Sequence, residues 1–206
     1  MTAGHLGRIL VVEGLDGCGK STVAQQLAAV LDADLLTTPT AELRAVRPQF
    51  DAAFRESPAA HSLACGATVV EAGQRALRQV QEGRTVVIDR YWLSTLVYAP
   101  DPARSALVGM EPLIRAADLT FYLHAPLVVR QGRLGSRARV TEHDRRTLDP
   151  SEDARLAGRY QVLGAHPLAG TTVPLDVSPP VDQVVRAMIA ALAWWEARNG
   201  AVPEAR

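Results

Sequence analysis

The sequence predicts an α/β protein in which a five-stranded parallel sheet carries helices on both faces. Three observations lead there. Strand and helix signals alternate along the whole chain, the arrangement that builds βαβ units. The strand segments are short, apolar and β-branched, as in strands buried on both faces. The first of them, RILVVE at Arg8–Glu13, runs straight into a glycine-rich turn and then a helical stripe. At 206 residues the chain has the length of a single domain with a sizeable core, and it shows no internal repeat, low-complexity tract or interdomain linker. One unit spanning 1–206 is therefore expected.

The elements follow in order. After the turn, Ser21–Leu31 places apolar residues at Val23, Leu27, Val30 and Leu31, a helical stripe on good helix formers. A second strand, Ala33–Thr37, leads to Pro39. A long helix runs from about Pro58 to Glu82, where Gly83 stops it. Thr85–Ile88 (TVVI) is the third strand, ending at Asp89-Arg90-Tyr91. The fourth, Leu119–His124, precedes a helix beginning at Pro126, and the fifth, Thr171–Leu175, precedes the final helix Val181–Arg198. In open α/β sheets ligands sit at the carboxyl ends of the strands. Glu13–Lys20, Thr37–Thr40, Asp89–Tyr91 and Asp176–Pro180 all fall there, so four loops converge on one crevice.

The turn itself carries chemistry. Gly14–Ser21 reads GLDGCGKS, matching G-x-x-x-x-G-K-[ST], a loop whose backbone N–H groups cradle phosphates while its lysine reaches the β/γ-phosphates. Of the 22 basic residues, 21 are arginine, and the only lysine is Lys20 in this loop. A compact ammonium on a flexible stem suits that place where a planar guanidinium does not. Phosphate oxygens would meet the unpaired N–H groups and positive end of the following helix. Gly14, Leu15, Asp16, Gly17, Cys18, Gly19, Lys20, Ser21 and Thr22 are thus the candidate triphosphate cradle, with the Ser21 hydroxyl placed for Mg²⁺. A chance match in a Gly-rich turn is the bland alternative, and the order strand, loop, helix argues against it. The fold expected is a three-layer sandwich of the P-loop NTPase kind.

Composition closes off other classes. Formal net charge is +0, so there is no bulk attraction to nucleic acid or anionic membrane. The longest apolar run, Met188–Trp195, is too short for a bilayer span, and no apolar stretch near Met1–Arg8 reads as a signal peptide. Cys18 and Cys65 make no disulfide framework and read as free thiols in a reducing cytoplasmic setting. A GTPase of the Asn-Lys-x-Asp kind needs a second lysine that the chain lacks.

The most irregular stretch is Gly132–Pro150, with little apolar periodicity after Leu134. Arg145 and Arg146 read as a solvated surface. Arg133 and Arg137 lie about one helical turn apart along the line from Arg130, on a face able to close over phosphates as a mobile lid (about 132–150). Phosphoryl transfer works mainly by positioning and charge neutralisation, which such a cation source supplies.

With these residues in view, the chain resembles the thymidylate kinase family of nucleoside monophosphate kinases, and within it the branch that includes mitochondrial-type UMP-CMP kinases. The resemblance is carried by VVEGLDGCGKST (Val11–Thr22), VVIDRYWLSTLVYA (Val86–Ala99), ADLTFYLHAP (Ala117–Pro126), RQGRLGSR (Arg130–Arg137) and LDVSPP (Leu175–Pro180). It implies transfer of the γ-phosphoryl of ATP, with Mg²⁺, to a pyrimidine nucleoside monophosphate, dTMP by family default, by a homodimer. On that resemblance, Lys20, Arg90 and Arg137 are the expected catalytic residues. Asp16 faces the acceptor's sugar hydroxyl, Asp89 joins Ser21 at the metal, Arg90 clamps the acceptor phosphate and Tyr98 crowds the sugar 2′ position. Arg133 flanks adenine opposite Asp176–Pro180. Gly17 stands where one branch of the family has an arginine, which leaves the lid to supply that charge.

The acceptor half departs from the family pattern. Thr37-Thr38-Pro39 replaces Arg-Glu-Pro, and Thr95 replaces an asparagine or glycine. Ala64 and Thr68 fall where a stacking phenylalanine and a base-reading arginine are usual, leaving Thr68 as the candidate base contact. His61, Cys65 and Gly66 do not restore the lost groups. Arg44 or Arg47 could supply the missing cation. Two alternatives therefore stay open: a related phosphotransferase acting on a modified nucleotide or other small phosphate ester, and an ATP-binding regulator with little turnover.

Overall fold

The structure is a computed structural model, and it describes residues 7–135 and 142–199. Its elements are β1 (Ile9–Gly14), α1 (Lys20–Leu31), β2 (Asp34–Thr37), α2 (Ala41–Ala45), α3 (Arg47–Ala53), α4 (Pro58–Gln81), β3 (Val86–Asp89), α5 (Trp92–Tyr98), α6 (Asp101–Val108), β4 (Leu119–His124), α7 (Leu127–Gly135), α8 (Glu142–Thr147), α9 (Pro150–Leu163), β5 (Thr171–Asp176) and α10 (Val181–Asn199). The five strands form one sheet in the order β2-β3-β1-β4-β5, and every pairing is parallel.

β1 is central, and all six of its residues are buried. Its alternation divides the core in two. Leu10 and Val12 pack with Val23 and Leu27 of α1, Leu156 of α9 and Val184 and Met188 of α10. Ile9 and Val11 pack on the opposite face with Val69 and Ala72 of α4, Leu96 of α5 and Leu107 of α6. Because both faces are covered, the strand reads as an unbroken apolar run rather than an alternating one. Each fully buried leucine or isoleucine here contributes about 1.5–3 kcal/mol relative to exposure.

The chain runs outward from β1 to one edge and then, through β4 and β5, to the other. β1 therefore has β3 and β4 as its neighbours, Val12 pairing with Asp89 and Gly14 with Leu123. That reversal opens the crevice at the carboxyl end of β1, where the loop after Gly14 meets the ends of its neighbours.

Two expectations need correction. Gly132–Pro150 is not irregular throughout: α7 continues to Gly135 and α8 covers Glu142–Thr147. These turns are polar around most of their circumference, so apolar periodicity could not reveal them. Along α1, Val23, Ala24, Leu27 and Ala28 make the buried stripe, and Val30 is 57% exposed. Ala24 and Ala28 complete the buried face beside Val23 and Leu27, and Val30 turns outward. The helices α2, α3, α5, α6, α8 and α9 come from stretches with no strong periodic signal. Among the described residues no helix is long and apolar enough to cross a membrane.

Candidate active site

The glycine loop is built by backbone geometry that other residues resist. Gly14 has φ +144°, and a Cβ there would lie 2.3 Å from the carbonyl oxygen of Leu123 on β4. Gly17 has φ +82°, and a Cβ would meet the Arg130 backbone and Cβ at 2.9 Å. Both steps need glycine for sterics and for handedness. The second also explains why position 17 carries no arginine: the first turns of α7 already fill that space.

Lys20 opens α1 and is 5% exposed. Its Nζ donates to the Leu15 carbonyl at 2.8 Å and lies 3.9 Å from Asp16 Oδ1, so the loop holds its own lysine. Burial, with the nearby Arg90 guanidinium, pulls its pKa down to about 8, against the opposing pull of Asp16. Cys18 points into the core, and burial pushes its thiol up, so it offers the loop only its backbone.

Ser21 and Asp89, which the resemblance assigns to one metal, lie in contact. The Ser21 hydroxyl donates to Asp89 Oδ2 at 2.5 Å, and the other oxygen, Oδ1, is buried with no hydrogen-bond partner. An orphaned carboxylate oxygen beside a hydroxyl suits a hard divalent cation that takes its remaining ligands from phosphate and water. Among the described residues no three His, Cys, Asp or Glu side chains gather into a cage of their own.

Asp16 is the hub on the other side of the loop. Its Oδ1 accepts a hydrogen bond from Arg90 Nη2 and its Oδ2 one from the Tyr98 hydroxyl, at 3.2 Å. Arg90 follows β3 directly and has φ +67°, a left-handed conformation costly for an arginine. Thr38 donates through Oγ1 to the Arg90 carbonyl at 2.9 Å, so the Thr37-Thr38 stretch is spent partly on holding that residue.

The expected arginine face divides. Arg130 is 1% exposed: it donates through Nη1 to the Asp16 carbonyl at 3.1 Å and pairs with Asp153, supporting the loop from beneath. Arg133 donates through Nη2 to the Val177 carbonyl at 2.6 Å and reaches the Cys18 carbonyl at 3.5 Å, spanning the gap between the phosphate loop and the segment after β5. Arg137, like Arg139, lies outside the described residues. Arg145 and Arg146 are exposed, as expected of a solvated face, although Arg146 also lines a cavity.

Two cavities flank the loop. One, of about 300 Å³, lies between Gly17–Gly19, Thr22, Arg133 and the Val177–Val181 segment with Val184. The other, of about 1140 Å³, is bounded by Asp16, Thr38, Pro39, Arg90, Thr95 and Tyr98 near the loop, and farther out by Arg44, Arg47, Asp51, Phe54, His61, Cys65 and Thr68. Thr68 is therefore on the cavity wall, its hydroxyl donating to the Cys65 carbonyl at 2.7 Å. Ala64 is not among the lining residues.

On the far wall, Arg47, His61 and Cys65 were candidates in the sequence, but Asp51, Phe50 and Phe54 and the contacts that join them were not. Asp51 Oδ1 accepts from Arg47 Nε at 2.5 Å and sits 2.8 Å from His61 Nε2, and His61 Nδ1 faces Cys65 Sγ at 3.8 Å. Phe50 packs edge-on against both Phe54, at 5.1 Å, and His61, at 5.6 Å between ring centroids. One signal was available. Two of the chain's three phenylalanines lie four residues apart in this short segment, the spacing of one helix face.

Comparison with known proteins places the chain in a family. The family model for thymidylate kinase matches residues 12–187. The thymidylate kinase of Dinoroseobacter shibae is 31% identical, over 90% of this chain and 96% of that protein. The thymidylate kinase of Synechococcus sp. (strain CC9311) is 30% identical, over 64% of this chain and 73% of that protein. Among solved structures, deoxyadenosine kinase from M. mycoides, with dCMP and dCDP bound, superimposes with a TM-score of 0.63. That match covers 90% of this chain and 99% of the other at 15% identity, a likeness of fold.

Proposed function

This chain belongs to the thymidylate kinase family and is a nucleoside monophosphate kinase, and we propose that it passes the γ-phosphoryl of ATP to a pyrimidine nucleoside monophosphate with weak discrimination among bases. The observation that carries this is the pair of cavities on opposite sides of one phosphate loop, with the Asp16–Arg90 pair on the wall of the larger. Two nucleotides laid in them would bring their phosphates together at Lys20.

On the donor side, Arg133 and the Val177–Val181 segment bound the space for adenine, and the loop residues Gly17–Gly19 and Thr22 line it, their N–H groups able to meet the phosphates. Lys20 exchanges its hold on the Leu15 carbonyl for the phosphate oxygens. Ser21 and Asp89 hold Mg²⁺, which when bound neutralises charge on the transferring group. Arg137 is the proposed lid cation.

On the acceptor side, Arg90 clamps the 5′-phosphate through a guanidinium already oriented by Asp16. Asp16 and Tyr98 border the sugar, Tyr98 against its 2′ position. Thr68, with Phe54 and His61 on the far wall, meets the base. The wall has no arginine at position 68, and losing such a polar reader weakens discrimination more than it weakens uniform binding. dTMP is therefore a modest substrate, with little preference over dUMP or dCMP. A homodimer is proposed on family resemblance, and light scattering tests it.

A second reading is favoured by Arg44, Arg55 and Arg146. They line the larger cavity; among the described residues Arg44 and Arg55 make no ion pair with a carboxylate, and Arg146 acts on Glu152 only from beyond ion-pair distance. A nucleotide bearing a further anionic group would use them. An ADP-release screen over all nucleoside monophosphates with ATP and Mg²⁺ tests both readings. Turnover spread over the pyrimidine monophosphates supports the first. A kcat/KM for dTMP of about 10⁵ M⁻¹s⁻¹ with strong rejection of dCMP overturns the weak discrimination, and no turnover at all shifts the acceptor to another phosphate ester.

A further inference from the structure

We infer that Glu13, the last residue before the glycine loop, is a positioning residue for the acceptor clamp: one buried carboxylate sets where Arg90 and helix α5 stand. The inference rests on the reading of Arg90 and Tyr98 as acceptor contacts.

Glu13 is fully buried on the central strand. A carboxylate in such a place needs every lone pair engaged, and its partners are not scattered. Oε1 accepts the N–H of Tyr91 at 2.8 Å and of Ser94 at 3.0 Å, residues 78 and 81 positions away in sequence. Oε2 accepts the Ser94 hydroxyl and that of Tyr160 on α9, the latter at 3.2 Å. The Tyr160 hydroxyl also lies 2.9 Å from Ser94 Oγ and 3.3 Å from the Gly14 carbonyl. Helix α5 begins at Trp92, and the residue before it provides no side-chain cap. A strand residue therefore does what an N-cap side chain ordinarily does, satisfying amides the helix leaves open.

What this holds in place is Arg90. A left-handed arginine persists only where its surroundings over-determine it. Its own N–H donates to the Val12 carbonyl at 3.0 Å, and Glu13 takes the next N–H along the chain. Three residues on, Asp16 takes the guanidinium. Two carboxylates of one segment thus hold the two ends of the same arginine, Glu13 through the backbone beyond it and Asp16 through its side chain. The loop that cradles the donor is joined in this way to the residue that grips the acceptor, and α5 carries Tyr98 along with it.

Glutamine can replace Glu13 without breaking the pattern. Its oxygen accepts the same two amides, its NH₂ donates to Ser94 Oγ, Ser94 donates to Tyr160, and Tyr160 donates to the Gly14 carbonyl. Alanine cannot, and aspartate is one methylene short. In Glu13→Ala the acceptor KM for dTMP and dCMP should rise at least tenfold while KM for ATP stays within threefold. Hydrogen exchange at the Tyr91 and Ser94 amides should quicken a hundredfold against the amides of β1 and β4. Glu13→Gln should restore both readouts to within threefold of wild type. Should the alanine variant not fold, Glu13→Asp should show the same KM split and the same two quickened amides.

Equal rises in both KM values, a glutamine variant as impaired as the alanine one, or unchanged exchange at Tyr91 and Ser94 would overturn the inference. Exchange needs no turnover. A wild-type enzyme that phosphorylates no nucleoside monophosphate would sink the functional reading while these two amides still decide the part of Glu13.

Discussion

Lys20 is the residue whose environment says most about turnover. Its pKa of about 8 lies below the ordinary 10.5, so the unfolded chain holds this proton more tightly than the folded one. Between those values the unfolded state binds more protons and stability rises with pH; below about 8 the cost of burying the ammonium, of the order of 3 kcal/mol, is fully present. Bound phosphates reverse that cost by giving the charge a partner. Steady-state profiles should therefore show kcat/KM for ATP falling above about pH 8, while kcat, measured on the complex, stays flatter. A kcat/KM profile flat to pH 9.5 would show that the proton on Lys20 is not needed. Lys20→Ala should keep the circular dichroism spectrum and lose activity by about 10³-fold. Asp89 gives a second prediction at this scale. Its unpartnered Oδ1 makes it a ligand in waiting, so Asp89→Asn should raise the Mg²⁺ concentration for half-maximal rate by about tenfold or more, read from a Mg²⁺ titration at saturating ATP.

At the scale of elements, α7 divides its arginines between support and contact. Arg130 points under the glycine loop and is fully engaged with Asp16, Ala125 and Asp153. Arg133, a turn later in chain order, reaches out to Val177 across the smaller cavity. The two should fail differently. Arg133→Ala should raise KM for ATP severalfold with a smaller change in kcat, the signature of lost ground-state binding. Arg137→Ala should lower kcat much more than it raises KM, because a lid cation acts mainly on charge developed in the transition state. Equal kinetic consequences for the two variants would dissolve the distinction between adenine contact and lid cation.

Over the whole molecule, the sheet's reversal at β1 gives one loop two cavities, and on the proposed reading two ligands meet there. A bisubstrate analogue joining adenosine to thymidine through five phosphates should bind more tightly than ATP or dTMP alone and raise Tm more than either at equal concentration, by the linkage between binding and stability. Titration calorimetry and thermal melts check this. An analogue no tighter than ATP would mean that the larger cavity does not take the acceptor.

The glycine loop and the elements on either side of it were legible in the chain without a structure. Gly14–Ser21, the short strand before it and the helix after it are local in the chain, and their spacing dictates their geometry because a strand, a tight turn and a helix N-terminus are all built from near neighbours. The five strands and the long helix α4 were legible for the same reason, most clearly β1, β3 and β4, whose apolar runs are continuous. Resemblance assigned Ser21 and Asp89 to one metal, but it did not foresee that Arg90 pairs with Asp16; each of these contacts spans some seventy residues. The tertiary structure alone decided the rest. Arg130 and Arg133 have the same chemistry and neighbouring positions, yet one is buried and the other spans the smaller cavity, because rotation about the helix and the place of Asp153 sort them. The far wall of the larger cavity, with Arg47, Asp51, Phe54, His61 and Cys65, joins short polar helices to α4, and no periodicity announces such a contact. Glu13 reads in the sequence as the polar end of an apolar strand; only the packing of α5 and α9 against β1 shows whose amides and hydroxyls it holds.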